Sequence, residues 1–235
     1  MMRGKAGHKG SMKFSRAVTQ VANNPRARKA KIGIRRSVAE AVGAPVKVFD
    51  AFAGAGGLYR EVWRDLVTSY TGCDNRYFAD DRRMFVADNR RVLRAIDLTA
   101  FNVFDLDAYG SPWEQALIIA ARRGIAAGER VGIVVTEGNG ANYKNGVVPK
   151  AVRSLVALKH GATPGAAMFR RRDDVQARIW AELARRMGAS IERLWKAQGT
   201  TGQMVAYMGA VFVGKSISEA LAGSAGPSAD DQKAA

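Results

Sequence analysis

The stretch VKVFDAFAGAGG, residues 46–57, decides how this chain reads. A β-branched and aromatic run over residues 46–52 gives way to a glycine-rich turn over residues 53–57. The first half has the composition of a buried strand. In the second, Gly54, Gly56 and Gly57 let the backbone turn tightly and approach a ligand without Cβ clashes. Amide groups at the start of a following helix favour a negative or electron-rich group there. Further on, FDLDAYGSP, residues 104–112, ends an apolar run that begins at Phe101. Its carboxylates, aromatic, glycine and proline turn a strand into an open, chemically equipped loop.

Between and beyond these anchors the pattern alternates. Residues 57–67 read as a helix, 69–74 as a strand, and a polar helix-like stretch continues to residue 83. A short strand over 84–87, a helix over 90–96 and a strand over 101–107 follow. Pro112 suits the first turn of a helix over 112–123. The apolar run RVGIVVT, residues 130–136, fits a parallel strand covered on both faces. Asp173 or Asp174 is expected to cap a helix running to Met187, and two strands, 190–198 and 203–213, are joined by the short turn GTTG. Five βα units and a terminal hairpin predict a doubly wound α/β domain. Ligands of such folds bind outside the carboxyl ends of the strands, where both anchors lie.

Composition narrows the partners. The chain of 235 residues holds 37 Lys and Arg against 21 Asp and Glu, a net charge of +16. Residues 1–39 contain eleven Lys or Arg and no acid; residues 138–172 contain seven and again no acid. Clusters of this kind point to a polyanion such as RNA or DNA. Cys73 is the only cysteine and His8 and His160 are the only histidines, so neither a disulfide nor a Cys- or His-rich metal site is expected. No run is apolar and long enough to span a bilayer, and the N-terminus lacks a signal-peptide core, which predicts a cytoplasmic protein with no membrane contact. The chain divides into a basic N-terminal extension with short helices (1–44, including helices within 12–22 and around 35–42), a domain (45–215) with a basic substrate loop (138–172), and a tail expected to be disordered (216–235).

A dinucleotide fingerprint requires G-x-G-x-x-G, but Tyr59 stands where the last glycine belongs. Asp74 ends the second strand, where a carboxylate can accept from ribose hydroxyls, and Asp88 follows the third, where it can accept from an adenine amino group. Each can equally serve as a helix cap. The order FDAFAGAGG, GCDNR, VADNR, FDLDAYGSP resembles the class I S-adenosylmethionine-dependent methyltransferases, over residues 46–213. DLDAYGSP is similar to the DxDPYGSP segment of tRNA guanine-26 dimethyltransferases and, more loosely, to the (D/N)PPY loop of amino-methylating enzymes. The resemblance implies a seven-stranded, mostly parallel Rossmann-like sheet with a C-terminal antiparallel hairpin, and S-adenosylmethionine as cofactor. It implies cofactor contacts from Asp50, Phe52, Gly54, Gly56, Asp74, Asp88 and Asp105, and catalytic roles for Asp107 and Tyr109.

Asp107 can hydrogen-bond an exocyclic amine and orient its lone pair, while Tyr109 can stack on a base. Asp105 either faces the cofactor or supports the loop from inside. Ala108 replaces the family's proline and relaxes the constraint that proline places on the loop. Lys144, Lys150, Arg170, Arg171 and Arg172 are the expected substrate contacts, with Glu137 and Asn139 at the same edge. Trp63, Trp113, Trp180 and Trp195 are expected to pack, Cys73 to be buried and inert, and His160 to have no catalytic duty. The expected function is methylation of a base nitrogen in nucleic acid, RNA ahead of DNA. The alternatives are a DNA adenine N-methyltransferase, or a non-catalytic nucleic-acid-binding protein on a degenerate methyltransferase fold.

Overall fold

A computed structural model describes residues 25–153, 155, 165–198, 204–216 and 218. The first element among the described residues is helix α1 (Pro25–Val42), followed by strand β1 (Lys47–Asp50) and a π-helical turn (Tyr59–Trp63). Next come β2 (Ser69–Asp74), β3 (Met84–Val86), α2 (Asn89–Ala95), β4 (Val103–Asp107), α3 (Trp113–Arg122) and β5 (Arg130–Glu137). Three helices, α4 (Gly140–Lys144), α5 (Gly165–Arg170) and α6 (Arg172–Met187), precede β6 (Ala189–Gln198) and β7 (Ala206–Gly214). The seven strands form one sheet in the order β3-β2-β1-β4-β5-β7-β6. β1 to β5 run parallel, and β7 lies antiparallel to both β5 and β6. The doubly wound sheet and its antiparallel end are therefore as the sequence predicts. No helix among the described residues is long and apolar enough to cross a membrane.

Alternation along the strands sorts the side chains into two layers. Phe49, Phe104, Leu106 and Ile133 face a large core built with α2, α3 and α6. Val48, Val103, Val134 and Val211 face the other way, onto α1 and the π-helical turn. Trp63, Trp113 and Trp180 are fully buried, in keeping with packing roles.

The largest departure from the sequence reading is α1. The helix expected near residue 35 begins at Pro25, and it is part of the domain rather than of an extension. Its Ile34 and Val38 lie directly on β5 and β7, because the strands present glycines there. A Cβ on Gly132 would come 2.4 Å from Val38 Cγ1, and one on Gly209 would come 2.7 Å from both Ile34 Cγ2 and Val38 Cγ2. The stretch read as polar helix before residue 83 is irregular, and the helix expected over 57–67 starts at residue 57, turns π-helical at Tyr59 and ends at Trp63. The predicted N-terminal helix in 12–22, the GTTG turn, His160 and most of the tail lie outside the described residues.

The absent Cβ at position 209 makes a specific demand. Gly209→Val should lift α1 from the sheet and cost about 1–3 kcal/mol. Chemical denaturation would show this as a lower midpoint, whereas Gly124→Ala, with open space at its Cβ position, should leave the midpoint nearly unchanged.

Candidate active site

The carboxyl ends of β1, β2 and β4 meet at one edge of the sheet. The glycine turn leaves β1 there, with Gly54 at φ 46° and Gly56 at φ 75°, conformations that favour glycine. Asp74 Oδ2 accepts from Gly54 N at 3.0 Å, and its Oδ1 accepts from Arg76 N at 2.9 Å. Arg82, from the irregular segment after β2, closes over the turn. Its guanidinium donates to Ala53 O at 3.0 Å and Gly54 O at 2.7 Å and pairs with Asp80 at 2.6 Å. Sequence reasoning missed Arg82 because nothing local marks a distant clamp.

Asp50 is buried, directly opposite Asp105 across the parallel β1–β4 ladder. It accepts from Phe52 N at 3.0 Å and from the Tyr70 hydroxyl at 2.8 Å. Burial and the neighbouring Asp105 charge push the Asp50 carboxyl up to about 8, against the hydrogen bonds from Tyr70 and Phe52. Phe52 itself packs against the large core.

Asp105, expected either at the cofactor or inside the loop's support, takes the inner place and has no exposure at all. Arg35 of α1 grips it with Nε and Nη2, each at 2.7 Å, and Trp63 Nε1 donates at 2.8 Å. The carboxylate faces α1 because strand alternation puts residues 103, 105 and 107 on that side of the sheet. Of the two roles expected for Asp88, adenine contact and helix cap, the structure shows the cap. It caps α2 by accepting from Arg90 N at 2.8 Å and is held by the Arg90 guanidinium at 2.6 Å. That pairing lowers its carboxyl to about 2. The adjacent Asn89 reaches inward instead, donating to Ala51 O at 2.8 Å and accepting from Gln115 Nε2 at 2.9 Å. Gln115 Oε1, in the first turn of α3, is buried with no partner.

Asp107 ends β4 with its side chain about one-fifth exposed (18%). Lys31 of α1 donates to Oδ2 at 2.8 Å, and the Thr136 hydroxyl donates to Oδ1. Tyr109, two residues on, is 97% exposed. Ala108 N donates to Leu106 O at 2.9 Å, a bond that the proline of the resembling loops could not make. Gly138 N donates to Gly110 O at 2.9 Å, and a Cβ on Gly138 would come 2.4 Å from Tyr109 O. The loop is thus pinned to the end of β5.

Beyond that edge, the expected substrate residues divide. Lys144, Lys150, Arg170 and Arg171 are exposed. Arg172 is buried, with Nη2 3.4 Å from Glu137 and its guanidinium 5.9 Å from the centre of the Tyr143 ring. Glu137, expected to contact a base, is fully enclosed. It accepts from Trp113 Nε1 at 2.6 Å, Tyr143 Oη at 3.0 Å and Gln176 Nε2. A buried carboxylate requires such partners, which is why Arg172 turns inward. Asn139 is buried beside it. α6 starts at Arg172, so Asp173 and Asp174 lie in its first turn rather than at the cap.

Trm1 from Pyrococcus horikoshii, solved with S-adenosyl-L-methionine, superposes with a TM-score of 0.54 over 83% of this chain and 57% of its own, at 16% identity. The chain fold is that of class I methyltransferases. The N-methyltransferase NodS from Bradyrhizobium japonicum WM9, solved with S-adenosyl-L-homocysteine, matches over 84% of this chain and 92% of its own, with a TM-score of 0.51 and 11% identity. The chain spans little more than half the length of the archaeal Trm1. No family model and no curated protein matches the sequence.

Two substitutions test the buried acids. Arg35→Met should cost about 3–5 kcal/mol, because it leaves Asp105 charged, buried and without its cation. Equilibrium unfolding reads this directly. For Asp50, a folded-state value raised to about 8 means the folded protein keeps a proton that the unfolded chain releases. Stability from this group is therefore full at about pH 4 and lost as pH rises toward about 8. Asp50→Asn should remove that part of the slope, seen as a smaller fall in melting temperature between about pH 5 and about pH 8 than in the wild type.

Proposed function

We propose that this chain is an S-adenosylmethionine-dependent methyltransferase that methylates a nitrogen of a nucleic-acid base, with RNA (tRNA or rRNA) as the substrate class. The observation that carries this reading is the register of the edge. The glycine turn after β1, Asp74 after β2 and the Asp107–Tyr109 loop after β4 lie at adjacent carboxyl ends of a class I methyltransferase sheet.

The residues present fit the cofactor. Gly54 and Gly56 form a cradle at positive φ, and Asp74 retains lone pairs beside it. Gln115 Oε1 is an orphaned buried acceptor, matched to an amino donor such as that of adenine. When bound, the cofactor supplies an electrophilic methyl group on a sulfonium. The chain's own part is to hold the acceptor. Asp107 accepts a hydrogen bond from the substrate amine and orients its lone pair, and Tyr109 offers an exposed ring to the base. Burial alone would raise the Asp107 carboxyl, but the charges of Arg35 and Lys31 with the Lys31 and Thr136 hydrogen bonds bring it below the usual range. It is thus an anion and a hydrogen-bond acceptor at neutral pH.

Nucleic acid as substrate is supported by the exposed Lys144, Lys150, Arg170 and Arg171, in a stretch with no acid. The preference for RNA rests on the likeness of DLDAYGSP to the tRNA enzymes.

Incubation with labelled methyl donor and separate pools of tRNA, rRNA and DNA, followed by nucleoside analysis, tests the reading. Label in an N-methylated RNA nucleoside is the expected result, label in DNA alone would shift the substrate, and none together with no cofactor binding by calorimetry would leave a non-catalytic protein. Asp107→Ala should reduce transfer roughly 100-fold or more while nucleic-acid binding persists. Binding should weaken steeply with salt, by a logarithmic slope of about 0.7–0.9 per phosphate contacted.

A further inference from the structure

The cations of α1 do not all face solvent. Lys31 and Arg35 lie one helical turn apart, on the face that meets β4. Arg35 is buried and its fork is taken up by Asp105, with Nη2 3.5 Å from Asp107. Lys31 is 27% exposed, and its Nζ lies 2.8 Å from both oxygens of Asp107. The same ammonium stands 5.7 Å from the centre of the Tyr207 ring.

We propose that Lys31 is a positioning residue of the acceptor site, holding the Asp107 carboxylate in the orientation that receives the substrate amine, so that α1 forms one wall of that site. The inference rests on the methyl-transfer reading and adds to it an element that the sequence assigns to a basic extension. A carboxylate has about four lone-pair positions. Thr136 occupies one and Lys31 bridges both oxygens, which leaves room for one incoming N–H. Arg35 alone does not fix Asp107, because its short contacts go to Asp105 and its 3.5 Å approach is long for a hydrogen bond. Thr136 holds only Oδ1. Removing Lys31 therefore frees Oδ2 to rotate and withdraws one of two nearby positive charges.

The groups facing Asp107 are Lys31 and Arg35 from α1, the Thr136 hydroxyl from β5 and the Tyr207 hydroxyl from β7. Asp105 lies on the same strand, with Asp50 beyond it on β1. Burial works against the anion, and Arg35 and Lys31 outweigh it. Loss of Lys31 moves the carboxyl upward. If transfer requires the anion, the acid limb of the pH–rate profile moves to higher pH.

The test uses the full chain with Lys31→Met and Lys31→Arg. Carbon-13 NMR follows the Asp107 carboxyl, assigned by its loss in Asp107→Asn, and the pH profile of methyl transfer to RNA is measured in parallel. Lys31→Met should raise the Asp107 titration and the acid limb together, by about one unit or more, and lower kcat more than it raises KM. Lys31→Arg should return both toward the wild-type position. An Asp107 titration that is the same in wild type and Lys31→Met overturns the proposal without any appeal to turnover. So does an acid limb that stays in place while the titration moves. Failure of the methyl-transfer reading looks different: the titration moves with Lys31, yet the wild type methylates no nucleic acid.

Discussion

The arrangement of the edge depends on one buried ion pair, Arg35 with Asp105. The guanidinium meets the carboxylate through two bonds of 2.7 Å, and the Trp63 indole N–H completes the set. Desolvation of two charges offsets most of their attraction, so such a pair contributes less to stability than to geometry. Here the geometry is a three-way joint. It fixes α1 along its axis, holds the π-helical turn by its last residue, and locks both to the middle of β4. A lysine could not replace Arg35, because a point charge lacks the planar fork that sets the angle of approach. With α1 in this register, Lys31 falls on Asp107 and the apolar Ile34 and Val38 fall on Gly209.

A second enclosed acid organises the far side of the edge. Glu137 gathers Trp113 from α3, Tyr143 from α4 and Arg172 and Gln176 from α6. It thereby ties the start of α3, the helix after the Asp107–Tyr109 loop, to the basic segment that follows β5. Between the two joints, the loop from Asp107 to Ser111 is held at Thr136 and Gly138 and leaves Tyr109 projecting into solvent. The Ala108 N–H bond to Leu106 shows one way in which a loop without proline keeps its shape.

Much of the fold was legible because periodicity is a local property. The strands at β2, β4 and β5 lie within a residue or two of their predicted bounds, and the hairpin order follows from the last two apolar runs. The glycine turn and the Asp107 loop were visible for the same reason, as composition changes at strand ends. Charge was harder to interpret. Arg28, Lys31 and Arg35 counted toward a polyanion footprint, yet they pair with Glu61, Asp107 and Asp105. Arg172, third in a row of arginines, reads like its neighbours, but the first turn of α6 carries it under the surface.

Local pattern alone specifies the alternation of strands and helices, the position of the glycine turn and the residue types gathered in the loop at residues 104–112. These depend on neighbours a few residues apart, so composition and spacing carry them. Which acids are available is set by tertiary contacts. Asp105 and Asp107 are two residues apart on one face of one strand, with similar intrinsic chemistry. Asp105 is enclosed by Arg35 and Trp63, 70 and 42 residues away in the chain, whereas Asp107 reaches the open end of the strand. Burial and partner are set by contacts distant in sequence, and no local pattern encodes them.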